Sequence, residues 1–224
     1  MPLLLSRTHY SLLTAPASPQ ALCEEAVRLG LTHLVLTDTN ALYGLYPFAQ
    51  AARRVGLQAV FGCEVVHRGR RLTLIAQNER GYRSLCLLLS AFQGVGVSHC
   101  NTTAVRDEFD LVRACERHAQ GLWFLCGDPR LLPELSVRVP RERLLVALPP
   151  RPSGGEQLQR DVAANHSLVQ HGRKLPDPGR PWPRRMLREI ARDLELSLCA
   201  VRDVWFATQG AADVRQDMAT MLAA

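Results

Sequence analysis

Long apolar runs are missing from this 224-residue chain. No stretch approaches the roughly 18 residues that cross a bilayer, so no membrane association is expected. The opening Met1-Pro-Leu-Leu-Leu lacks a basic region and does not read as a signal peptide. Paired cysteines are also missing. Cys23, Cys63, Cys86, Cys100, Cys115, Cys126 and Cys199 are odd in number, and none forms a CxxC pair. That argues against a disulfide framework or a zinc cluster. Small buried hydrophobes in a reducing cytoplasm are the expectation. The glycines form neither a P-loop nor a GxGxxG element, and no nucleophile–base–acid arrangement is readable. Aromatic residues are few, at 6%, and no stretch interleaves them with basic residues as a single-strand-binding face would. Lysine is nearly absent, so the net charge of +6 is carried by arginine. Such a charge permits contact with nucleic acid without demonstrating it.

What is present is a broad apolar content of 47%, enough for one sizeable core and one domain. Short apolar runs alternate with helical segments. Strands are expected at residues 3–6, 33–37, 57–66, 71–76, 121–126, 144–148 and 197–201. Ser18-Pro19 opens a helix that Gly30 ends. Further helices are expected at 45–55, 79–90, 104–118, 156–170, 183–194 and 211–222. Loops rich in Pro, Gly and Arg fall at 149–155 and 172–183. The alternation implies an α/β fold with a mostly parallel sheet, open or closed into a barrel.

Acidic residues recur near strand ends. Asp38 follows the strand at 33–37, Glu64 lies near the end of its strand, Asp128 follows 121–126, and Asp203 follows 197–201. The C-terminal strand ends of a parallel barrel converge on one face. Four carboxylates there could serve divalent-metal or phosphate chemistry. The plainer alternative is that each caps the helix after it.

Several motifs in series are more specific. They are Leu36-Thr37-Asp38 with Leu42-Tyr43-Gly44, then Gly62-Cys63-Glu64-Val65, then the run from Leu72 to Tyr82. Tyr10-Ser11-Leu12-Leu13, Gly121-Leu122 through Cys126-Gly127, and Arg202-Asp203-Val204-Trp205 add to them. Together these resemble the PHP (polymerase and histidinol phosphatase) domain of bacterial DNA polymerase III α subunits, closest to the error-prone branch. The resemblance covers nearly the whole chain and is weakest over residues 140–195. It implies a distorted seven-stranded (β/α)7 barrel as a single domain. It also implies an ancestral three-metal site, built mainly from His with Asp and Glu, that hydrolyses phosphoesters. The palm, fingers and clamp-binding regions of the polymerases are not expected within residues 1–224, so this chain alone is not expected to polymerise DNA.

The departures from the family pattern concern the metal ligands. The family's paired histidines fall on Leu5 and Arg7, and the His of its TDH motif on Thr39. Another falls on Arg71, one falls near Arg151, and the last falls on Trp205. Asp38, Glu64 and Asp203 stand at retained positions, and Asp128 replaces a family Cys. Imidazole binds transition metals as a neutral nitrogen ligand, and Leu, Thr and Trp cannot replace it. Arg7 and Arg71 are permanently cationic and would repel a metal. They are expected to pair with Asp38, Glu64 or Asp203 instead. Of the seven histidines, His9 and His67 lie near lost ligand positions, while His33, His99, His118, His166 and His171 match none.

The expected function is a non-catalytic structural or interaction module in DNA replication or repair. Its expected partner is a polymerase core or another replication or repair protein, and no cofactor is expected. The alternative is a residual phosphoesterase or exonuclease using Mn, Mg or Zn on Asp38, Glu64, Asp128 and Asp203. Nucleic-acid binding through arginines facing a cleft is a third possibility.

Overall fold

The computed structural model describes residues 3–11, 15–94, 109–149 and 182–204. Seven strands close into a barrel in sequence order. They are β1 (Leu3–Ser6), β2 (His33–Thr39), β3 (Gln58–His67), β4 (Arg70–Ala76), β5 (Leu122–Cys126), β6 (Leu144–Leu148) and β7 (Ser197–Val204). β1 closes the ring by pairing in parallel with β7, Leu5 opposite Asp203. β4 alone runs against its neighbours, antiparallel to both β3 and β5.

The reversal of β4 follows from a two-residue connection. His67 pairs with Arg70, leaving Arg68-Gly69 as the whole turn. Both turn residues have positive φ, 49° and 70°, as a type I′ hairpin requires. A parallel crossover would need a dozen residues or more.

Helices cover the outer face. They are α1 (Pro19–Arg28), α2 (Leu45–Arg54), α3 (Glu79–Gln93), α4 (Leu111–Arg117), α5 (Leu132–Arg138) and α6 (Arg184–Asp193). The Ser18 hydroxyl accepts from the Ala21 amide, and Pro19 sits in the first turn of α1, as the sequence predicts. The helix expected over 104–118 begins at Leu111 instead, because the Asp110 carboxylate caps the Val112 and Arg113 amides. Residues 104–108 lie outside the described residues, as do the helices expected at 156–170 and 211–222. α5 went unread in the sequence, since seven residues are too few for a helical period to stand out.

The apolar side chains sort by strand parity. Leu34 and Leu36 of β2 and Leu72 and Leu74 of β4 point outward to the helices. Leu5, Val35, Ile75 and Leu125 form a separate cluster inside the ring. This alternation, period two along each strand, decides what reaches the barrel mouth.

One close approach fixes α3 against the ring. Gly81, in its first turn, stands on the backbone of Gly121 just before β5, and a Cβ there would collide with the Gly121 carbonyl. Gly81→Ala is expected to lower stability by about 1–3 kcal/mol, the usual range for overpacking. Urea unfolding checks this, and an unchanged midpoint would show that the backbone can yield there.

Candidate functional site

Continuing the inward parity past the apolar layer gives a polar layer at the mouth. On β1 the inward positions Leu3 and Leu5 lead to Arg7. On β2, Val35 leads to Thr37 and Thr39. On β3, Val60 leads to Gly62 and Glu64. On β7, Cys199 and Val201 lead to Asp203. β4 enters reversed, so Arg71 near its start reaches the same level. Register confirms the level, with Thr39 opposite Glu64 and Glu64 opposite Thr73.

Arg7 is the centre of this layer. It is 1% exposed, and its guanidinium reaches Glu64 Oε1 at 2.9 Å and Asp203 Oδ1 at 2.9 Å. Burial alone would pull its pKa down. The charges of Glu64 and Asp203, and the hydrogen bonds to both, outweigh burial and hold it above the ordinary value. Arg71 Nη1 stands 3.3 Å from both Glu64 oxygens. Thr39 Oγ1 donates to Glu64 Oε2 at 3.5 Å. Leu5 lies beneath, in the apolar cluster inside the ring.

Asp38 departs from expectation. It belongs to β2, which runs on to Thr39, and it shares the outward parity of Leu34 and Leu36. Its carboxylate therefore pairs with neither arginine. Oδ1 accepts from the Thr8 amide and the Ser11 hydroxyl, both at 2.7 Å, and Oδ2 accepts from Thr8 Oγ1 at 2.8 Å. Ser11 Oγ also accepts from the Thr39 amide at 3.0 Å. Gly44 leaves the room, because a Cβ there would meet Asp38 Oδ2. Asp38 thus fastens the segment after β1 to the end of β2. Thr8 and Ser11 were not singled out as site residues; a hydroxyl-rich turn after a strand was the available signal.

Asp203 also lies inside its strand, which runs to Val204, three residues beyond the expected end. Asp128 stands apart from the other acids. Arg130 grips it with Nε at 2.9 Å and Nη2 at 2.6 Å. The Asp128 hydrogen bonds, reinforced by its charge, raise the Arg130 pKa. Arg130 Nη2 also donates to the Gly69 carbonyl at 2.9 Å, and its guanidinium lies 5.5 Å from the Trp182 ring.

The expected convergence of four carboxylates is therefore corrected. Glu64 and Asp203 meet through Arg7, while Asp38 and Asp128 have separate partners. Among the described residues, no three His, Cys, Asp or Glu side chains form a group that could hold a metal ion. Among the described residues, the nitrogen donors in the polar layer at the mouth are guanidinium groups, which are always charged and cannot ligate a cation. The described donor set thus does not fit a resident metal. His67 packs edge-on against Phe92 and Phe109, at 5.8 and 5.4 Å, and His9 lies 4.6 Å from Tyr10. Arg151, Trp205, His99, His166 and His171 lie outside the described residues.

The family model for the PHP domain matches residues 4–135. The error-prone DNA polymerase of Mycobacterium bovis is 40% identical over 93 residues, covering 37% of this chain and 8% of that polymerase. The DNA polymerase III subunit alpha of Buchnera aphidicola is 28% identical over 128 residues, covering 54% of this chain and 11% of that subunit. This chain thus spans a small part of the length of the relatives it matches. Among solved structures, an amidohydrolase from Chromobacterium violaceum aligns with TM-score 0.48 and 11% identity, over 91% of this chain and 87% of its own. A two-domain protein from Bacteroides vulgatus, described as containing a predicted PHP-like metal-dependent phosphoesterase, aligns with TM-score 0.47 and 13% identity. That alignment covers 96% of this chain and 55% of its own.

Proposed function

Because the chain belongs to the PHP domain family, we propose that it is a PHP barrel without catalytic activity, serving as a structural or interaction module in DNA replication or repair. Its relatives are polymerases, so the partner expected for it is a polymerase core or another replication or repair protein.

The observation that carries this reading is Arg7. Its guanidinium fills the inward position at the mouth and already pairs with both Glu64 and Asp203. A cation arriving there would have to displace a buried, permanently charged group from two carboxylates. Arg71 adds a second positive charge on Glu64. The mouth is held together by ion pairs in the place where the family resemblance puts metal ligands. Asp38, Glu64, Asp128 and Asp203 would then have structural roles.

The test is metal analysis of protein purified without chelator, together with hydrolysis of a p-nitrophenyl phosphodiester in the presence of Mn²⁺. No stoichiometric metal and no hydrolysis above the blank are expected. Stoichiometric metal, with hydrolysis abolished by Glu64→Gln, would overturn the reading in favour of a reduced phosphoesterase.

A further inference from the structure

Aromatic residues are few in this chain, yet three of its four tyrosines gather where α2 begins. Tyr46 lies in the first turn of α2 and is 73% exposed, and Tyr43, in the turn leading into it, is 70% exposed. Gly44 between them already has helical φ and ψ, so the helical period runs back to Tyr43. Tyr10 arrives from the segment after β1. A Cβ on Gly44 would stand 3.1 Å from its ring, and the His9 ring lies 4.6 Å away on the other side of the pair. Single apolar side chains in water are ordinary, but two neighbouring rings left open give up the burial that aromatic residues usually supply.

The rest of the helix face is basic. At about 100° per residue, Tyr43, Tyr46, Gln50, Arg53 and Arg54 fall on one stripe, and all five are exposed. Leu45, Phe48, Ala51 and Ala52 take the opposite side and are buried. Gln50 Nε2 donates to the Tyr46 hydroxyl at 2.8 Å and so props that ring. Positive charge in the last turn suits the helix dipole, but the dipole leaves the guanidinium donors unused. Among the described residues, neither Arg53 nor Arg54 is paired with a carboxylate. No acidic residue occurs between Asp38 and Glu64. On α1, which packs beside α2, Glu25 is held by Arg28 and Glu24 accepts from Gln20.

From this arrangement we infer that the solvent face of α2 is a docking strip for single-stranded nucleic acid. Bases stack on Tyr43 and Tyr46, and phosphates lie against Arg53 and Arg54. Arginine suits the second task, because its planar fork matches phosphate oxygens. Tyr46 and Arg53 are about 10 Å apart along the helix axis, the length of about three stacked nucleotides. Two rings and two charges in a line are too little for the core of a stable protein interface, which needs about 800 Å² from each partner. They match a strand that offers ring faces and phosphates in turn. The linear sequence shows no such interleaving, because Phe48, Ala51 and Ala52 stand between the two halves and only the helix turns them inward.

The experiment is fluorescence anisotropy with a labelled oligothymidylate and a labelled duplex, in EDTA, across a salt titration. EDTA makes the result independent of whether the mouth takes metal, so its failure is separate from failure of the non-catalytic reading. Binding of the single strand at low salt, tighter than of the duplex and weakening steeply with salt, is expected. Tyr46→Leu should weaken it about ten-fold, while Tyr46→Phe, which keeps the ring, should bind as the wild type does. The double variant Arg53→Gln, Arg54→Gln should reduce the salt slope by about 1.4, from two phosphate contacts at about 0.7 each. These side chains are exposed, so the melting temperature should not move. Arg188→Gln, an exposed position on α6, serves as the control and should leave affinity unchanged. Four results would each overturn the inference: no binding at low salt, duplex bound as tightly as single strand, Tyr46→Leu equal to Tyr46→Phe, or Arg188→Gln as costly as a strip substitution. Polyglutamate displacing the oligonucleotide as well as unlabelled oligothymidylate does would also overturn it, pointing to an acidic protein instead.

Discussion

Replacing Arg7 with methionine is expected to destabilise the barrel by about 3–5 kcal/mol, the range for breaking a buried ion pair on one side. Methionine keeps most of the volume and removes the charge. Glu64, at most 8% exposed on its side chain, would be left with Arg71 at 3.3 Å and a long hydrogen bond from Thr39. Arg71 is 38% exposed and held by Nη1 alone, so it cannot replace the lost partner. Glu64→Gln should cost a comparable amount, since Arg7 would lose its buried carboxylate, and the Asp203 carboxylate that remains is 45% exposed. Asp203→Asn should cost about 1 kcal/mol or less, because solvent screens that pair. The double variant Arg7→Met, Glu64→Leu removes both buried charges and should be more stable than Arg7→Met or Glu64→Gln. Urea unfolding of the wild type and the four variants measures all these values. If Arg7→Met moved stability by less than 1 kcal/mol, the guanidinium would not be what holds the mouth together.

That cluster also marks the limit of what the sequence made legible. The strands stood out as short apolar runs, and all seven are where those runs predict. The reversal of β4 was not read, although a strand ending at 66 and another starting at 71 leave no room for a parallel crossover. Charge at aligned positions led to the expectation that Arg7 and Arg71 pair with Asp38, Glu64 or Asp203, and Glu64 and Asp203 are the partners found. Asp38 did not follow, although the signal was available. Leu34, Leu36 and Asp38 share one parity, and the two leucines pack outward under helices, so Asp38 must face that way as well. Counting carboxylates near strand ends ignored this parity and gathered four acids that the sheet keeps apart. Arg130 was not legible at all. Its closeness to Asp128 is local, but its contacts with Gly69 and Trp182 join residues 61 positions before it and 52 after it. Those contacts exist only because β4, β5, β6 and β7 lie side by side in the sheet.

Raising the pH should destabilise the protein more than its few tyrosines explain, through four buried thiols. Cys23, Cys63, Cys115 and Cys126 are all 0% exposed. Burial pushes Cys63 and Cys126 up to about 12 and Cys23 up to about 11, and raises Cys115 as well. Nearby acids reinforce the shift, Asp38 and Glu64 at Cys63 and Asp128 at Cys126. The sign follows from linkage. The folded state keeps each thiol protonated, while the unfolded chain releases the proton above the ordinary value of 9.0. Stability is therefore fully present below about pH 9 and lost as the pH climbs toward 11 to 12. Each thiol contributes a loss of about 1.4 kcal/mol per pH unit in that window. The four together should remove about 5 kcal/mol by pH 10, a large share of the roughly 5–15 kcal/mol that holds a domain folded. The arginine pairs at the mouth keep their charge throughout this range, so they do not mask the effect. Urea midpoints measured under reducing conditions between about pH 8 and pH 10 test it. Cys63→Ala and Cys126→Ala should each start lower yet fall less steeply with pH, by one thiol's share. A flat wild-type midpoint, or variants with the wild-type slope, would mean that these thiols ionise as readily in the folded barrel as in the unfolded chain.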